Sequence, residues 1–172
     1  MTETVRIKGG TAVITGAASG IGMGLAQHAA SLGMNLVLAD INAAQLDTLA
    51  SSLSTEVLAV QVDVRDAAAM ESLAEVAFAR FGHVDMLFNN AGILCTGLSW
   101  EISAERWQKE FDVNVNGVLN GLRAFVPRML KSGQAAHIIN TSSVGGFLPS
   151  AMMSPYSATK AAIAGFAAAL RA

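Results

Sequence analysis

The sequence contains little charge, almost no cysteine and no long apolar run. Charged residues make up 14% of its 172 residues and hydrophobic residues 52%, which excludes intrinsic disorder and predicts one well-buried domain over residues 1–172. The net charge of −2 provides no basic field, so we expect no nucleic-acid partner. The longest apolar stretch, Ala161–Leu170, is well short of the roughly 20 residues that span a membrane. We therefore expect no membrane anchor.

Cysteine and histidine also limit the classes of protein. The single cysteine, Cys95, cannot form an internal disulfide, and Met1–Gly10 is too polar for the core of a signal peptide. Both features favour a reducing, cytoplasmic location. His28, His83 and His137 lie far apart without metal-ligand spacing, so no metal site is expected.

From Thr11 to Ser143, short β-rich apolar runs alternate with longer helical patterns, which is typical of βαβ units. The predicted strands are Thr11–Ile14, Asn35–Ala39, Val57–Val62, Met86–Asn89 and His137–Asn140. The predicted helices are Gly20–Leu32, Ala43–Leu53, Asp66–Phe81, Ser103–Leu130 and Pro155–Ala172. Because right-handed crossovers place helices on both faces of such a sheet, we predict an α/β fold with a doubly wound, Rossmann-type parallel sheet.

Helical periodicity also predicts which side chains face the sheet and where helices begin. The first predicted helix carries an apolar stripe that should face the sheet, formed by Ile21, Leu25, Ala29 and Leu32. Asp66 and Ser103 are suited to N-caps, and Pro155 to a first turn.

The segment Thr15–Gly22, with the sequence Thr-Gly-Ala-Ala-Ser-Gly-Ile-Gly, joins the first predicted strand to the first helix. Backbone N–H groups and the helix dipole can hold a pyrophosphate there. Gly16 permits the tight turn, Gly20 the phosphate contact and Gly22 the packing of helix on strand. The predicted cofactor residues of this segment are Gly16, Ser19, Gly20, Ile21 and Gly22. An ordinary glycine-rich turn is the alternative.

Asp40 closes the second predicted strand, about 20 residues after the glycines, where a carboxylate can accept hydrogen bonds from an adenosine ribose. A carboxylate there also repels a 2′-phosphate, and no Arg or Lys lies in the glycine segment or directly after Asp40 to neutralise one. NAD is therefore expected rather than NADP. The alternative is that Asp40 caps the following helix.

Polar residues also follow the third and fourth predicted strands. Asp63 and Val64 end the third strand, and Asn89-Asn90-Ala91-Gly92 ends the fourth. Both segments fall on the carboxyl edge of the sheet, where such folds bind ligands. We expect Asp63, Val64, Asn90, Ala91 and Gly92 to meet the adenine and the inner ribose, although each segment alone could be an ordinary cap or turn.

Tyr156 and Lys160 are four residues apart and share one helix face. A phenol is a poor acid–base group at neutral pH, but a fixed ammonium nearby favours its phenolate. Ser143, just after the fifth predicted strand, could orient a substrate hydroxyl or carbonyl while Tyr156 exchanges its proton. The alternative for the pair is an exposed helical Tyr–Lys contact.

Together these motifs resemble the short-chain dehydrogenase/reductase family over Gly9 to Ala172. Its Thr-Gly-x-x-x-Gly-x-Gly, Asn-Asn-Ala-Gly and Tyr-x-x-x-Lys elements match this sequence at Thr15–Gly22, Asn89–Gly92 and Tyr156–Lys160. The resemblance implies that Ser143, Tyr156 and Lys160 are catalytic, that Lys160 and Tyr156 also contact the cofactor, and that subunits form a homo-oligomer.

The resemblance also implies a fourth catalytic residue, Asn114, because Asn114-Val115-Asn116-Gly117 fits the family's Asn-x-x-Gly element. There Asn114 would support a water chain with the lysine. Family members continue beyond the Tyr–Lys helix with two further strands and a substrate loop, whereas this sequence ends at Ala172. We therefore expect a domain that is C-terminally incomplete relative to the family.

These features predict an NAD-dependent oxidoreductase that interconverts an alcohol and a ketone or aldehyde by hydride transfer. Its partner would be a small-molecule alcohol or carbonyl compound. The alternative is a non-catalytic NAD-binding module.

Overall fold

The computed structural model describes residues 4–170 and contains a five-stranded, fully parallel sheet. The strands are β1 (Thr11–Thr15), β2 (Asn35–Asp40), β3 (Val57–Gln61), β4 (Met86–Asn89) and β5 (His137–Asn140), in the spatial order β3-β2-β1-β4-β5. The order reverses at β1, which pairs with β2 on one side and β4 on the other. A doubly wound sheet binds its ligand at such a reversal.

Helices connect the strands and cover both faces of the sheet. They are α1 (Gly20–Ser31), α2 (Ala43–Ser52), α3 (Ala67–Phe81), α4 (Ala104–Phe111), α5 (Gly117–Ser132) and α6 (Ser154–Ala169), with a π-helical segment at Asp112–Asn116 and a 3-10 turn at Val144–Gly146. The predicted Rossmann-type fold is confirmed, and most strand bounds agree to within one residue. The last two residues of the predicted helix Pro155–Ala172 lie outside the described residues, as do the first three of Met1–Gly10. No described helix is long and apolar enough to cross a membrane.

The two faces of the sheet have separate apolar cores because side chains alternate along each strand. On one face, Val13 and Leu87 pack with α3 and α5, where Phe125 is fully buried. On the other, Ile14 and Leu36 pack with α1 and α2. The central strands are therefore buried on both sides, as their near-continuous apolar sequences predict.

The expected apolar stripe of α1 is wrong at two positions. Ile21 is 68% exposed and Leu32 is 45% exposed, whereas the buried residues of α1 are Gly22, Ala26, Ala29 and Ala30. Small residues occupy this face, and at Gly22 the helix lies against the turn that follows β1. A Cβ on Gly22 would lie 2.0 Å from the Gly16 carbonyl oxygen, so no larger residue fits there. The buried face of α1 therefore contains no large apolar side chains, and their spacing in the sequence could not identify it.

The helix predicted over Ser103–Leu130 is confirmed as one continuous helical stretch from Ala104 to Ser132, but a π-helical segment separates α4 from α5 within it. Asn114 lies inside the π-helical segment and is buried. Its Nδ2 donates to the Ile93 carbonyl at 2.9 Å, and its Oδ1 accepts from the Ile93 N–H at 2.8 Å. These contacts to a loop distant in sequence accompany the local widening, and π-helical turns of this kind are frequent at functional sites.

The predicted helix starts are confirmed. Asp66 accepts hydrogen bonds from the Ala68 and Ala69 N–H groups, Ser103 accepts one from Arg106, and Pro155 lies in the first turn of α6.

Strand β5 pairs with β4 and with no other strand in residues 4–170.

Candidate active site

A cleft of about 540 Å³ runs along the carboxyl edge of the sheet. Its lining includes twelve of the thirteen predicted cofactor residues: Gly16, Ser19, Gly20, Ile21, Asp40, Asp63, Val64, Asn90, Ala91, Gly92, Tyr156 and Lys160. Gly22 is the exception, because it is buried in the contact between α1 and the turn. Ile21 is exposed because its side chain borders the cleft and not the core.

The glycine turn and the Asn-Asn-Ala-Gly segment are fastened together. The Thr15 hydroxyl oxygen accepts from the N–H groups of Asn90 at 3.0 Å and Ala91 at 3.1 Å, and Asn90 Nδ2 donates to the Thr15 carbonyl at 3.1 Å. Gly16 has a φ of 66°, and a Cβ there would lie 2.8 Å from the Ala91 Cα. Only glycine allows the two segments to approach this closely.

The turn presents an open helix N-terminus to the cleft. Ser19, the N-cap of α1, makes no side-chain capping hydrogen bond, and no acidic residue occupies the first turn. The first N–H groups of a helix and its dipole favour an anion. The geometry is therefore suited to a pyrophosphate.

Asp40 stabilises the floor of the turn. Its Oδ2 accepts from the Ala18 N–H at 3.0 Å, and its Oδ1 accepts from the Asn42 N–H at 3.0 Å. Asn42, and not Asp40, is the N-cap of α2, because its side chain accepts from the Gln45 N–H. The capping alternative for Asp40 is therefore wrong, and its carboxylate remains at the edge of the cleft.

Asp63 is paired with Arg65, a cleft residue that the sequence motifs did not predict. Arg65 Nη2 lies 2.6 Å from Asp63 Oδ2, and its Nε is 3.0 Å from Oδ1. The side-chain hydrogen bond from Arg65 lowers the pKa of Asp63 below its usual range, against a smaller opposing effect of burial. The carboxylate therefore stays charged at the rim of the cleft. The two-residue spacing in the sequence was the available signal for this pair.

Val64 is positioned by α5. Asn120 Nδ2 donates to the Val64 carbonyl at 2.9 Å, and a Cβ on Gly117 would lie 2.7 Å from Val64 Cγ2. Helix α5 thus contacts the end of the third strand through a glycine and an amide. This contact holds Val64 beside Asp63 in the wall of the cleft.

The structure brings Ser143, Tyr156 and Lys160 together. Lys160 Nζ lies 5.6 Å from the centroid of the Tyr156 ring. A Cβ on Gly145 would lie 3.5 Å from Ser143 Oγ and 3.4 Å from Tyr156 Cε1, so both groups border the same small space. Ser143 Oγ also accepts from the Gly145 N–H at 3.1 Å, which holds the serine in place.

Asn114 lies next to this group and contacts α6, the helix that carries Tyr156 and Lys160. Its Nδ2 donates to the Thr159 hydroxyl at 3.1 Å, next to Lys160 in the chain. A Cβ on Gly92 would lie 3.3 Å from Asn114 Oδ1 and 3.5 Å from Lys160 Nζ. The amide and the amine therefore approach the same point from two elements.

Lys160 is an unusual buried cation, only 4% exposed. Burial lowers its pKa from the ordinary value, while the charge of Glu110 opposes this by raising it. Its Nζ donates to the Thr141 carbonyl at 2.7 Å. Because an ammonium has three donors, the two that remain can bind a ligand in the cleft.

These features define a Rossmann-type dinucleotide-binding protein with a Ser–Tyr–Lys group beside its ligand cleft. A family model for short chain dehydrogenases matches residues 10–172, so the chain belongs to that oxidoreductase family.

Among curated relatives, 1-deoxy-11-beta-hydroxypentalenate dehydrogenase of Streptomyces arenae is 42% identical over 166 residues. The match covers 94% of this chain and 59% of the relative. The chain thus spans about three fifths of that relative's length.

Two solved structures show the same architecture. A short chain dehydrogenase/reductase from Burkholderia phymatum in complex with NAD is 46% identical, with a TM-score of 0.91 over 95% of this chain and 59% of that one. A 3-ketoacyl-(acyl-carrier-protein) reductase from Brucella melitensis complexed with NADH is 32% identical, with a TM-score of 0.92 over 96% of this chain and 69% of that one.

The residues present fit a nicotinamide dinucleotide. At Gly16 and Gly22 a side chain would meet backbone atoms, and at Gly20 the space is open. The helix N-terminus has no acidic residue in its first turn, and a carboxylate ends β2. These are the features that a dinucleotide requires at the reversal of strand order.

Proposed function

We propose that the protein is an NAD-dependent oxidoreductase that interconverts an alcohol and a ketone or aldehyde. The observation that carries this proposal is the convergence of the glycine turn, Tyr156 and Lys160 on one cleft, with Ser143 beside the phenol. A bound nicotinamide would supply the hydride acceptor or donor. The residues of this chain orient the substrate oxygen and move its proton.

In the oxidative direction, Tyr156 accepts the hydroxyl proton while Ser143 holds the same oxygen by a hydrogen bond. The Lys160 ammonium, held by the Thr141 carbonyl, favours the phenolate electrostatically. Asn114 bonds to Thr159 and Ile93, which positions it to support proton release beside Lys160. In the reductive direction Tyr156 donates the proton.

The preference for NAD over NADP rests on Asp40. Its carboxylate borders the cleft and accepts two backbone hydrogen bonds, so it is fixed where a 2′-phosphate would be repelled. Arg65 and Lys109 also line the cleft, but Arg65 is already neutralised by Asp63. We therefore propose NAD as the cofactor.

The loops around the reacting group favour an uncharged, largely apolar substrate. Residues 91–100 and 141–159 contain no Asp, Glu, Lys, Arg or His. Within them Leu94 is 53% exposed, Val144 is 72% and Phe147 is 69% exposed. An ionised substrate group near the phenol would find no countercharge in these two loops. A cytoplasmic homo-oligomer remains part of the proposal.

The experiment measures NADH formation by the full-length protein with a panel of apolar and charged secondary alcohols. Tyr156→Phe should reduce turnover by about 10²–10⁴-fold, the usual contribution of general acid–base catalysis, and should leave NAD affinity nearly unchanged. Ser72→Ala, which removes a hydroxyl on the exposed face of α3, is the matched control and should turn over normally. Turnover retained by Tyr156→Phe would contradict the assignment. NAD binding without turnover of any alcohol would favour the non-catalytic module.

A further inference from the structure

Glu110 is a buried carboxylate that the proposed chemistry does not use. It lies in the last turn of α4 and is 0% exposed. Its Oε2 accepts from the Cys95 N–H at 3.1 Å, while its Oε1 has no hydrogen-bond partner among residues 4–170. Burying a carboxylate with half of its acceptors unmet is costly, so the position calls for a compensating charge.

The structure brings α4 against the helix of the Tyr–Lys pair. Helices α4 and α6 are in contact, and Asn114, one turn beyond Glu110, is bonded to Thr159. Glu110 is closed off from water and is not among the residues that line the cleft.

Two cations act electrostatically on Glu110: Lys160 on α6 and Arg106 on its own helix. The loop at Cys95 contributes a hydrogen bond from its N–H. Burial raises the pKa of Glu110 above its usual range, and the Cys95 N–H, Lys160 and Arg106 act in the opposite direction. Among the charged groups of residues 4–170, Glu110 is the one that favours the ammonium form of Lys160.

We propose that Glu110 is a positioning residue that keeps the buried Lys160 amine protonated. Its own group does not touch substrate or cofactor and acts only through Lys160. Without it, an amine that is 4% exposed and bonded to a single neutral carbonyl loses the carboxylate that, within residues 4–170, offsets its loss of hydration. The effect of Glu110 on catalysis rests on the proposed function of Lys160. The test of the inference measures only the protonation of Lys160 and does not require that function.

The test is a titration of Lys160 by ¹⁵N NMR on the full-length protein without NAD or substrate. The residues 1–172 contain four lysines, at positions 8, 109, 131 and 160, and Lys160→Arg identifies the signal of interest. Glu110→Gln removes the charge but preserves an acceptor for the Cys95 N–H. Glu105→Gln, on the exposed side of α4, is the matched control.

In Glu110→Gln the midpoint of the Lys160 titration should move to lower pH, and in Glu105→Gln it should not move. Above the midpoint, each pH unit of displacement means about tenfold less protonated amine. An unchanged Lys160 midpoint in a Glu110→Gln protein whose Cys95 amide signal is retained would overturn the proposal. A purely structural role for Glu110 predicts that unchanged result.

A second measurement decides the matter if Glu110→Gln does not fold. The side-chain carboxyl ¹³C signal of Glu110 in the unsubstituted protein should show an ionised carboxylate at neutral pH. A protonated Glu110 there carries no charge and would also overturn the proposal. Neither measurement requires turnover, so failure of this inference is distinct from failure of the proposed oxidoreductase activity.

Discussion

Two glycines of α1 that are two residues apart should respond in opposite directions to the same substitution. A Cβ on Gly22 would lie 2.0 Å from the Gly16 carbonyl oxygen and 2.8 Å from Asn90 Nδ2, whereas a Cβ on Gly24 would meet nothing within 4 Å. Gly22 lies in the first turn of α1 and Gly24 in the second. Intrinsic helix propensity alone favours alanine at both by about 0.8–1 kcal/mol.

The structure decides the sign at each position. At Gly24 the propensity gain is unopposed, so Gly24→Ala should stabilise the protein by about 0.8–1 kcal/mol. At Gly22 the new methyl group meets a backbone carbonyl that cannot rotate away. Overpacking costs about 1–3 kcal/mol, and so close a contact belongs in the upper half of that range. After the propensity gain, Gly22→Ala should lose about 1–2 kcal/mol.

The assay is thermal unfolding of the two variants, with NAD binding measured by calorimetry. A difference of about 2–3 kcal/mol between them corresponds to about 4–12 °C in Tm for a chain of this size. Gly22→Ala should also weaken NAD binding, because the displaced Gly16 carbonyl belongs to the turn that lines the cleft. A Tm for Gly22→Ala equal to or above that of Gly24→Ala would refute the reasoning.

Two further substitutions test a cap and a buried charge. Asn42→Ala removes the side chain that accepts a hydrogen bond from the Gln45 N–H, so urea unfolding should show that the protein loses about 1 kcal/mol of stability. Asp47→Ala, on the exposed face of α2, is the control and should lose less stability. Burial lowers the pKa of Lys160 in the folded protein from the ordinary value of 10.5. Between the folded and the unfolded pKa, the unfolded state therefore binds more protons than the folded state. The free energy of unfolding should rise as the pH increases towards 10.5. Lys160→Met should lack that rise, and identical pH dependence in the two proteins would contradict the burial argument.

Much of the fold could be predicted because it depends on local patterns. Apolar runs such as Asn35–Asp40 are long enough and β-rich enough to be strands, and helices must alternate with them in a parallel sheet. Caps such as Asp66 and Ser103 act within one turn. Short-range effects of this kind are contained in the order of the residues.

The features that the sequence did not predict share a different cause. The buried face of α1 consists of Gly22 and alanines, and at Gly22 it lies against Gly16 and the Asn90 side chain. The π-helical turn at Asn114 accompanies contacts with Ile93 and Thr159. Each depends on a partner far away in the chain. No window of neighbouring residues contains that information.

The residues of the candidate site also fall into those that local sequence patterns predict and those that depend on distant contacts. The residue order alone predicted the glycine turn, Asp40, Ser143 and the Tyr156–Lys160 pair, because their spacing follows from strand ends and helical periodicity. Only the tertiary structure buried Glu110 against the Cys95 loop and brought the Asn114 amide close to Lys160. Charges and hydrogen bonds act through space, so the partners of a buried amine are decided by how helices pack and not by their distance along the sequence.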